Sequence, residues 1–248
     1  MLCGLLGHGI AYSLSPRVHA LLGDYDYELF DLPPEELRDF MADAPFDGLN
    51  VTIPYKQAVM PYCSDLSMVA AFCNSVNTVL RDGDGYLHGH NTDLPGFLWL
   101  LTHLGQSLRG QKVMILGSGA TANTVAAAAQ HQGAADIVAV SRRGPVSYHD
   151  LSAHYDSTVI VNTTPVSDRR LLELNHFSCL NAVIDVIYAP AQTPLLDDAH
   201  ARGIPYSNGL PLLAAQAKYA SDLFLGLTRD DAVIEEILAS LRSPAAGA

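Results

Sequence analysis

"QKVMILGSGATANTVAAAAQHQGAADIVAVSRR", residues 111–143, decides the fold. An apolar run, KVMIL, breaks at two glycines, an alanine-rich stretch follows, and DIVAV closes the segment. Strand, glycine turn, helix, strand is a βαβ unit. Gly117 and Gly119 stand directly after the strand and ahead of the helix, which is the context a dinucleotide-binding turn requires. Glycines let the backbone approach a pyrophosphate, and the helix N-terminus supplies free N–H donors and a partial positive charge. The pattern is incomplete, since the third glycine of G-x-G-x-x-G falls on Ala122.

The second strand of such a unit ends beside the adenosine ribose, where an NAD enzyme places an acidic residue. Asp136 has about the right spacing but begins its strand, at the wrong edge of the sheet. The strand ends instead in Ser141, Arg142 and Arg143, which can grip a 2′-phosphate by charge-assisted hydrogen bonds. NADP is favoured over NAD; the competing reading is a solvated arginine pair on a loop.

Working outward, TVIVNTT and NAVIDVIY read as further strands with helices between them, so residues 109–208 form a doubly wound parallel sheet. Residues 94–108 are helical. Upstream, LCGLLG, YDYELFDL and FDGLNVTIP read as strands, SPRVHALLG and PPEELRDFMAD as helices, and VNTVLRDGDGYLHGHNT as a hairpin with a DGDG turn. An α/β layer is implied there too. Two amphipathic helices, LPLLAAQAKYASDLFLG and DDAVIEEILASLR, close the chain before a frayed SPAAGA tail.

The 248 residues, 49% of them hydrophobic, suffice for one large core or two modest ones. A formal charge of −12, from 14 basic against 26 acidic residues, argues against a polyanion partner such as nucleic acid and leaves room for a local basic spot for a small anion. No apolar run is long enough for a membrane span, and the start lacks a signal-peptide pattern, so cytoplasm is expected. Cys3, Cys63, Cys73 and Cys179 show no C-x-x-C spacing and read as buried or inert thiols. Among ten histidines only HGH at 88–90 hints at a metal, without ligand spacing, so none is expected.

NVTIPYK, residues 50–56, runs a β-branched strand into a proline and delivers Lys56 at its end. NSVNT (74–78) and GHNTD (89–93) are polar clusters where apolar structure also breaks off. Together with SLSP (13–16), NTTP (162–165), IDVIYAPAQTPLL (184–196) and NGLPLLAAQA (208–217), they resemble the shikimate dehydrogenase family, in the family's order and over nearly the whole chain.

That resemblance implies two domains: a substrate-binding catalytic domain over 1–93, completed by helices in 209–248, and a Rossmann-type NADP domain over 94–208. It implies NADP-dependent reduction of 3-dehydroshikimate to shikimate, a step of chorismate and aromatic amino acid biosynthesis, with hydride transfer across the cleft. Lys56 and Asp93 match the catalytic pair. Reducing a ketone by hydride needs a proton donor for the developing alkoxide, and an ammonium provides both charge and proton.

Ser13 and Ser15 match the positions that hold the substrate carboxylate, although SLSP on residue type alone reads equally as a helix-capping turn. Thr52, Asn77, Asp93 and Gln216 match positions around the ring hydroxyls, and Tyr188 a tyrosine at the carboxylate end. Asn50 reads equally as a structural turn residue. Gly117, Ser118, Gly119, Ala120, Thr121, Ser141, Arg142, Arg143, Val186 and Gly209 are implied on the cofactor side.

The chain departs from the family's G-x-G-G-A turn at Ala120 and Thr121, has Leu94 and Pro95 after NTD, lacks the glycine after NTTP, and carries Pro211 and Leu212 where Gly and Met are common. Relaxed choice between shikimate and quinate, or between NADP and NAD, is one alternative; a non-catalytic shikimate-binding regulator is another. A monomer or homodimer is expected.

Overall fold

Five of the six residues of strand β1 (Leu2–Gly7) are buried, which explains why LCGLLG shows no polar alternation. β2 (Asp26–Asp31) and β3 (Gly48–Val51) flank it, both parallel. The connections are the short helix α1 (Ser15–His19) and α2 (Leu37–Asp43), the latter entered by a 3-10 turn at Pro34–Glu36. The computed structural model describes residues 1–242, so the SPAAGA tail lies outside the described residues.

A two-residue strand β4 (Asp65–Leu66) and helix α3 (Met68–Cys73) follow, then the hairpin of β5 (Thr78–Arg81) and β6 (Leu87–His90). Asp82 Oδ1 closes the DGDG turn by accepting the amides of Asp84 and Tyr86 at 3.0 and 2.8 Å. The sheet order is β2-β1-β3-β5-β6-β4, with β5 antiparallel to both neighbours. The C-terminal ends of β1, β3 and β6 and the start of β5 therefore share one edge. Phe46, Leu49, Val51, Val79 and Leu87 are among the residues of the core.

Helix α4 (Asp93–His103) leads into β7 (Lys112–Leu116), α5 (Ala120–Gln132), β8 (Asp136–Val140), β9 (Val159–Asn162), β10 (Ala182–Asp185), α6 (Pro194–Ala201) and β11 (Tyr206–Ser207). All five strands pair in parallel in the order β11-β10-β9-β7-β8. The order reverses at β7, which is where open α/β sheets bind ligands. Met114, Leu116, Val140, Ile160 and Val183 belong to its core.

The helices expected between the later strands are absent from β8–β9 and β9–β10. Single 3-10 turns, Leu151–His154 and Leu174–His176, stand there, in segments broken by Gly144–Pro145 and by Pro165 with Ser167–Asp168. Helices α7 (Leu210–Leu225) and α8 (Ala232–Arg242) complete the described chain. Two compact units result, Met1–Gly96 with Leu213–Ala248, and Phe97–Leu212. No helix among the described residues is long and apolar enough to cross a membrane. All four cysteines are free, and Cys179 is exposed rather than buried.

Candidate functional site

The chain passes beyond β3 alongside β1, with Thr52 N–H donating to the Leu6 carbonyl at 2.8 Å. Pro54 has no N–H to extend a ladder, and a turn forms as Tyr55 N–H donates to the Thr52 carbonyl at 2.8 Å. The Tyr55 side chain is buried, its hydroxyl donating to the Leu32 carbonyl at 2.6 Å, and anchors that turn. Strand, proline and buried tyrosine thus deliver Lys56 at a fixed place. Val76 N–H holds the Lys56 carbonyl at 2.8 Å.

Lys56 Nζ lies 2.5 Å from Asp93 Oδ2, with side chains only 11% and 8% exposed. Asp93 opens α4, where the helix dipole favours a carboxylate. The neighbouring Asn91 Oδ1 accepts the Leu94 N–H at 3.0 Å, a capping bond that leaves the Asp93 carboxylate for other partners. Asn77 Nδ2 donates to Asp93 Oδ1 and to Thr92 Oγ1, both at 2.9 Å, and reaches Gln216 Oε1 at 3.4 Å. Gln216 Nε2 donates to the Leu213 carbonyl at 3.0 Å, and Gly96 leaves room for the Gln216 backbone. Lys56, Asn77, Asp93 and Gln216, from four stretches of sequence, form one network in the first unit.

Ser13 lies in the loop after β1 and Ser15 opens α1, at the same edge of the same sheet. Ser13 Oγ accepts the Ser15 N–H and donates to Ser15 Oγ, each at 3.2 Å. The N-cap of α1 is Leu14, without a side-chain cap bond, and the Ser13 hydroxyl takes the first helical amide from outside that position. Thr52 is half-buried at that edge. Asn50 sits on β3 and is 3% exposed, so it is not a turn residue. It joins Thr78 and Thr92 in the same network, two residues the sequence reading passed over. The available signal was a polar side chain inside an otherwise apolar strand.

In the second unit, Gly117 adopts φ +122°, and a side chain there would run into Thr163 Oγ1. Its N–H donates to the Val140 carbonyl at 2.8 Å, which sets the glycine turn beside the end of β8. Gly119, the N-cap of α5, brings no side chain to the helix start, and space at its missing Cβ is open. Ser118 is exposed, while Ala120 and Thr121 start the helix half-buried. Open space, first-turn N–H groups and a positive helix end fit a pyrophosphate.

After β8, Ser141 is buried and Arg142 and Arg143 are exposed. Asp136 is at the opposite end of β8, with Oδ2 3.7 Å from Lys112 Nζ, so it puts no negative charge beside the arginine turn. Val186 N–H donates to the Asn162 carbonyl at 3.0 Å, and Gly209 N–H to the Ile187 carbonyl at 2.9 Å. A Cβ on Gly209 would collide with the Val186 carbonyl. Beneath them the buried Asp185 accepts from Asn162 Nδ2, Ile187 N–H and Thr193 Oγ1 at 3.0, 3.1 and 2.8 Å. Burial pushes its carboxyl up despite these bonds. Tyr188, two residues beyond Val186, is half-buried in this unit.

Residues 5–79 match the family described as "Shikimate dehydrogenase substrate binding domain". A "Shikimate dehydrogenase (NADP(+))" of Oleidesulfovibrio alaskensis is 36% identical over 244 residues, covering 87% of this chain and 86% of that protein. One from Moorella thermoacetica is 33% identical and covers 99% and 97%. Among solved structures, shikimate 5-dehydrogenase from Thermus thermophilus, in complex with NADP(H) and shikimate, superposes with a TM-score of 0.86 at 31% identity, covering 97% and 99%.

Proposed function

The chain belongs to the shikimate dehydrogenase family, and we propose on that premise that it reversibly reduces 3-dehydroshikimate to shikimate with NADPH. The observation that carries this is the Lys56–Asp93 pair, fixed by Asn77 and nearly removed from solvent.

When bound, the dihydronicotinamide supplies the hydride. Lys56 gives its proton to the ketone oxygen as negative charge develops there, and its ammonium stabilises that charge before transfer. Asp93 aims the ammonium. In the oxidative direction the neutral amine takes the hydroxyl proton. Ser13 and Ser15 donate to the substrate carboxylate without adding a full charge. Thr52, Asn77, Asp93 and Gln216 meet the ring hydroxyls, each unmatched group losing a hydrogen bond, and Tyr188 serves the carboxylate end.

We assign substrate binding to residues 1–93 with 209–248 and cofactor binding to 94–208. Gly117, Ser118, Gly119, Ala120 and Thr121 hold the pyrophosphate. Ser141, Arg142 and Arg143 hold the 2′-phosphate, and Val186 and Gly209 line the nicotinamide end. The enzyme acts in the cytoplasm on a small molecule, as a monomer or homodimer. Two serines in SLS favour shikimate over quinate. The test is kcat/KM for both acids with NADP and NAD: shikimate with NADP leads by about tenfold or more. Equal values would mean relaxed specificity, and shikimate binding without turnover would mean a regulator.

A further inference from the structure

Beneath the Lys56–Asp93 pair, the first unit holds a line of hydrogen bonds from Tyr27 to Asp93 in which a backbone N–H fixes the Asn77 amide. Tyr27 on β2 donates its hydroxyl to Asn50 Oδ1 at 2.8 Å. Asn50 Nδ2 donates to Thr78 Oγ1 at 3.3 Å and reaches the Asn77 carbonyl, which can only accept, at 3.5 Å. Thr78 Oγ1 donates to Asn77 Oδ1 at 3.1 Å. That oxygen also takes the Thr92 N–H, which can only donate, at 2.6 Å. Asn77 Nδ2 must then face Asp93 Oδ1, 2.9 Å away.

Asn50, Asn77, Thr78 and Thr92 are all buried, so each lost partner leaves a group without water to replace it. Tyr27 is well placed to start the line. Its ring stacks on His19 at 4.0 Å and 13°, and His19 Nδ1 meets the Tyr25 hydroxyl at 2.7 Å. Burial pushes the His19 imidazole down to about 3, so that ring stays neutral. The Tyr27 hydroxyl also interacts with the Ser15 side chain.

We propose that Tyr27 is a positioning residue for proton transfer: acting through Asn50, Thr78 and Asn77, its hydroxyl holds the Asp93 carboxylate in line with Lys56. The inference rests on the dehydrogenase reading above. It separates orientation of the pair, which Tyr27 controls from a distance, from the chemistry, which Lys56 performs.

Tyr27→Phe removes one hydroxyl and keeps the ring on His19. In steady-state oxidation of shikimate with NADP, kcat falls about five- to tenfold while KM for shikimate moves less than about twofold. Thr78→Val interrupts the same line further on and lowers kcat in the same way. The double variant loses little more than the worse single variant, because a line already broken is not broken twice. Thermal midpoints confirm that each variant is folded.

A wild-type kcat in folded Tyr27→Phe overturns the proposal, as does a change confined to KM, or a double variant whose loss is the product of the two single losses. Wild-type protein that turns over shikimate with neither NADP nor NAD fails the dehydrogenase reading and takes the proposal with it. Normal wild-type turnover beside an unimpaired variant removes the proposal alone.

Discussion

Lys56 Nζ is 2.5 Å from Asp93 Oδ2, and Asn77 Nδ2 holds the other oxygen of that carboxylate at 2.9 Å. With both oxygens engaged, Asp93 is a fixed acceptor that sets where the lysine points. Asp93→Asn keeps the shape and removes the charge. Turnover should fall by about a hundredfold or more, the scale of losing a well-placed proton donor. Initial rates over a range of shikimate concentrations check this; a kcat within a fewfold of wild type contradicts it.

The arginine turn predicts cofactor choice. Arg142 and Arg143 are exposed after β8, and the acid of that strand, Asp136, is engaged at the other end with Lys112. Replacing both arginines by alanine should raise KM for NADP by about 10- to 100-fold, the scale of charge-assisted bonds to a phosphate. KM for NAD should barely move. Equal effects on both cofactors would place the arginines elsewhere than at the 2′-phosphate.

Gly209 offers a stability test, because an added Cβ meets the Val186 carbonyl, which is backbone and cannot rotate away. Gly209→Ala should cost about 1–3 kcal/mol, as overpacking does, and weaken NADP binding. Thermal unfolding and cofactor titration measure the two effects.

His88 bridges the hairpin to β4, with Nδ1 2.8 Å from Asp65 Oδ2 and Nε2 3.1 Å from Asp82 Oδ2. The hydrogen bond to Asp82, then that to Asp65, raise its pKa in the folded protein. A raised folded pKa contributes stability that is complete below the unfolded value, about 6.5, and lost as pH rises through the folded one. His88→Gln should therefore destabilise more at pH 5.5 than at pH 8.5, read by urea denaturation. The opposite order would contradict the assignment.

Much of this molecule is legible locally. KVMIL forms a strand because a buried parallel strand is continuously apolar, DIVAV forms the edge strand beside it with Val138 and Val140 buried, and the glycines between them mark where the chain must turn. Helix α3 was not legible: it has six residues, is capped by Ser67, and turns Met68 and Phe72 toward solvent, so its apolar pattern does not mark a buried face. The segments that carry Lys56 and Asp93 stand out as polar clusters where apolar runs stop, and the family resemblance singles out the two residues within them. The line through Asn50 and Thr78 does not stand out, since it depends on the pairing of Asn50 with Thr78 across β3 and β5. Register between strands is a tertiary property that no single stretch records.

The most direct measurement is kcat for shikimate oxidation by Lys56→Ala, set beside its shikimate Kd by calorimetry and its thermal midpoint. The proton-transfer account predicts a folded protein that binds shikimate within about tenfold of wild type and has lost about a hundredfold or more in kcat. Wild-type turnover in that variant would contradict it and send the search for the proton donor elsewhere.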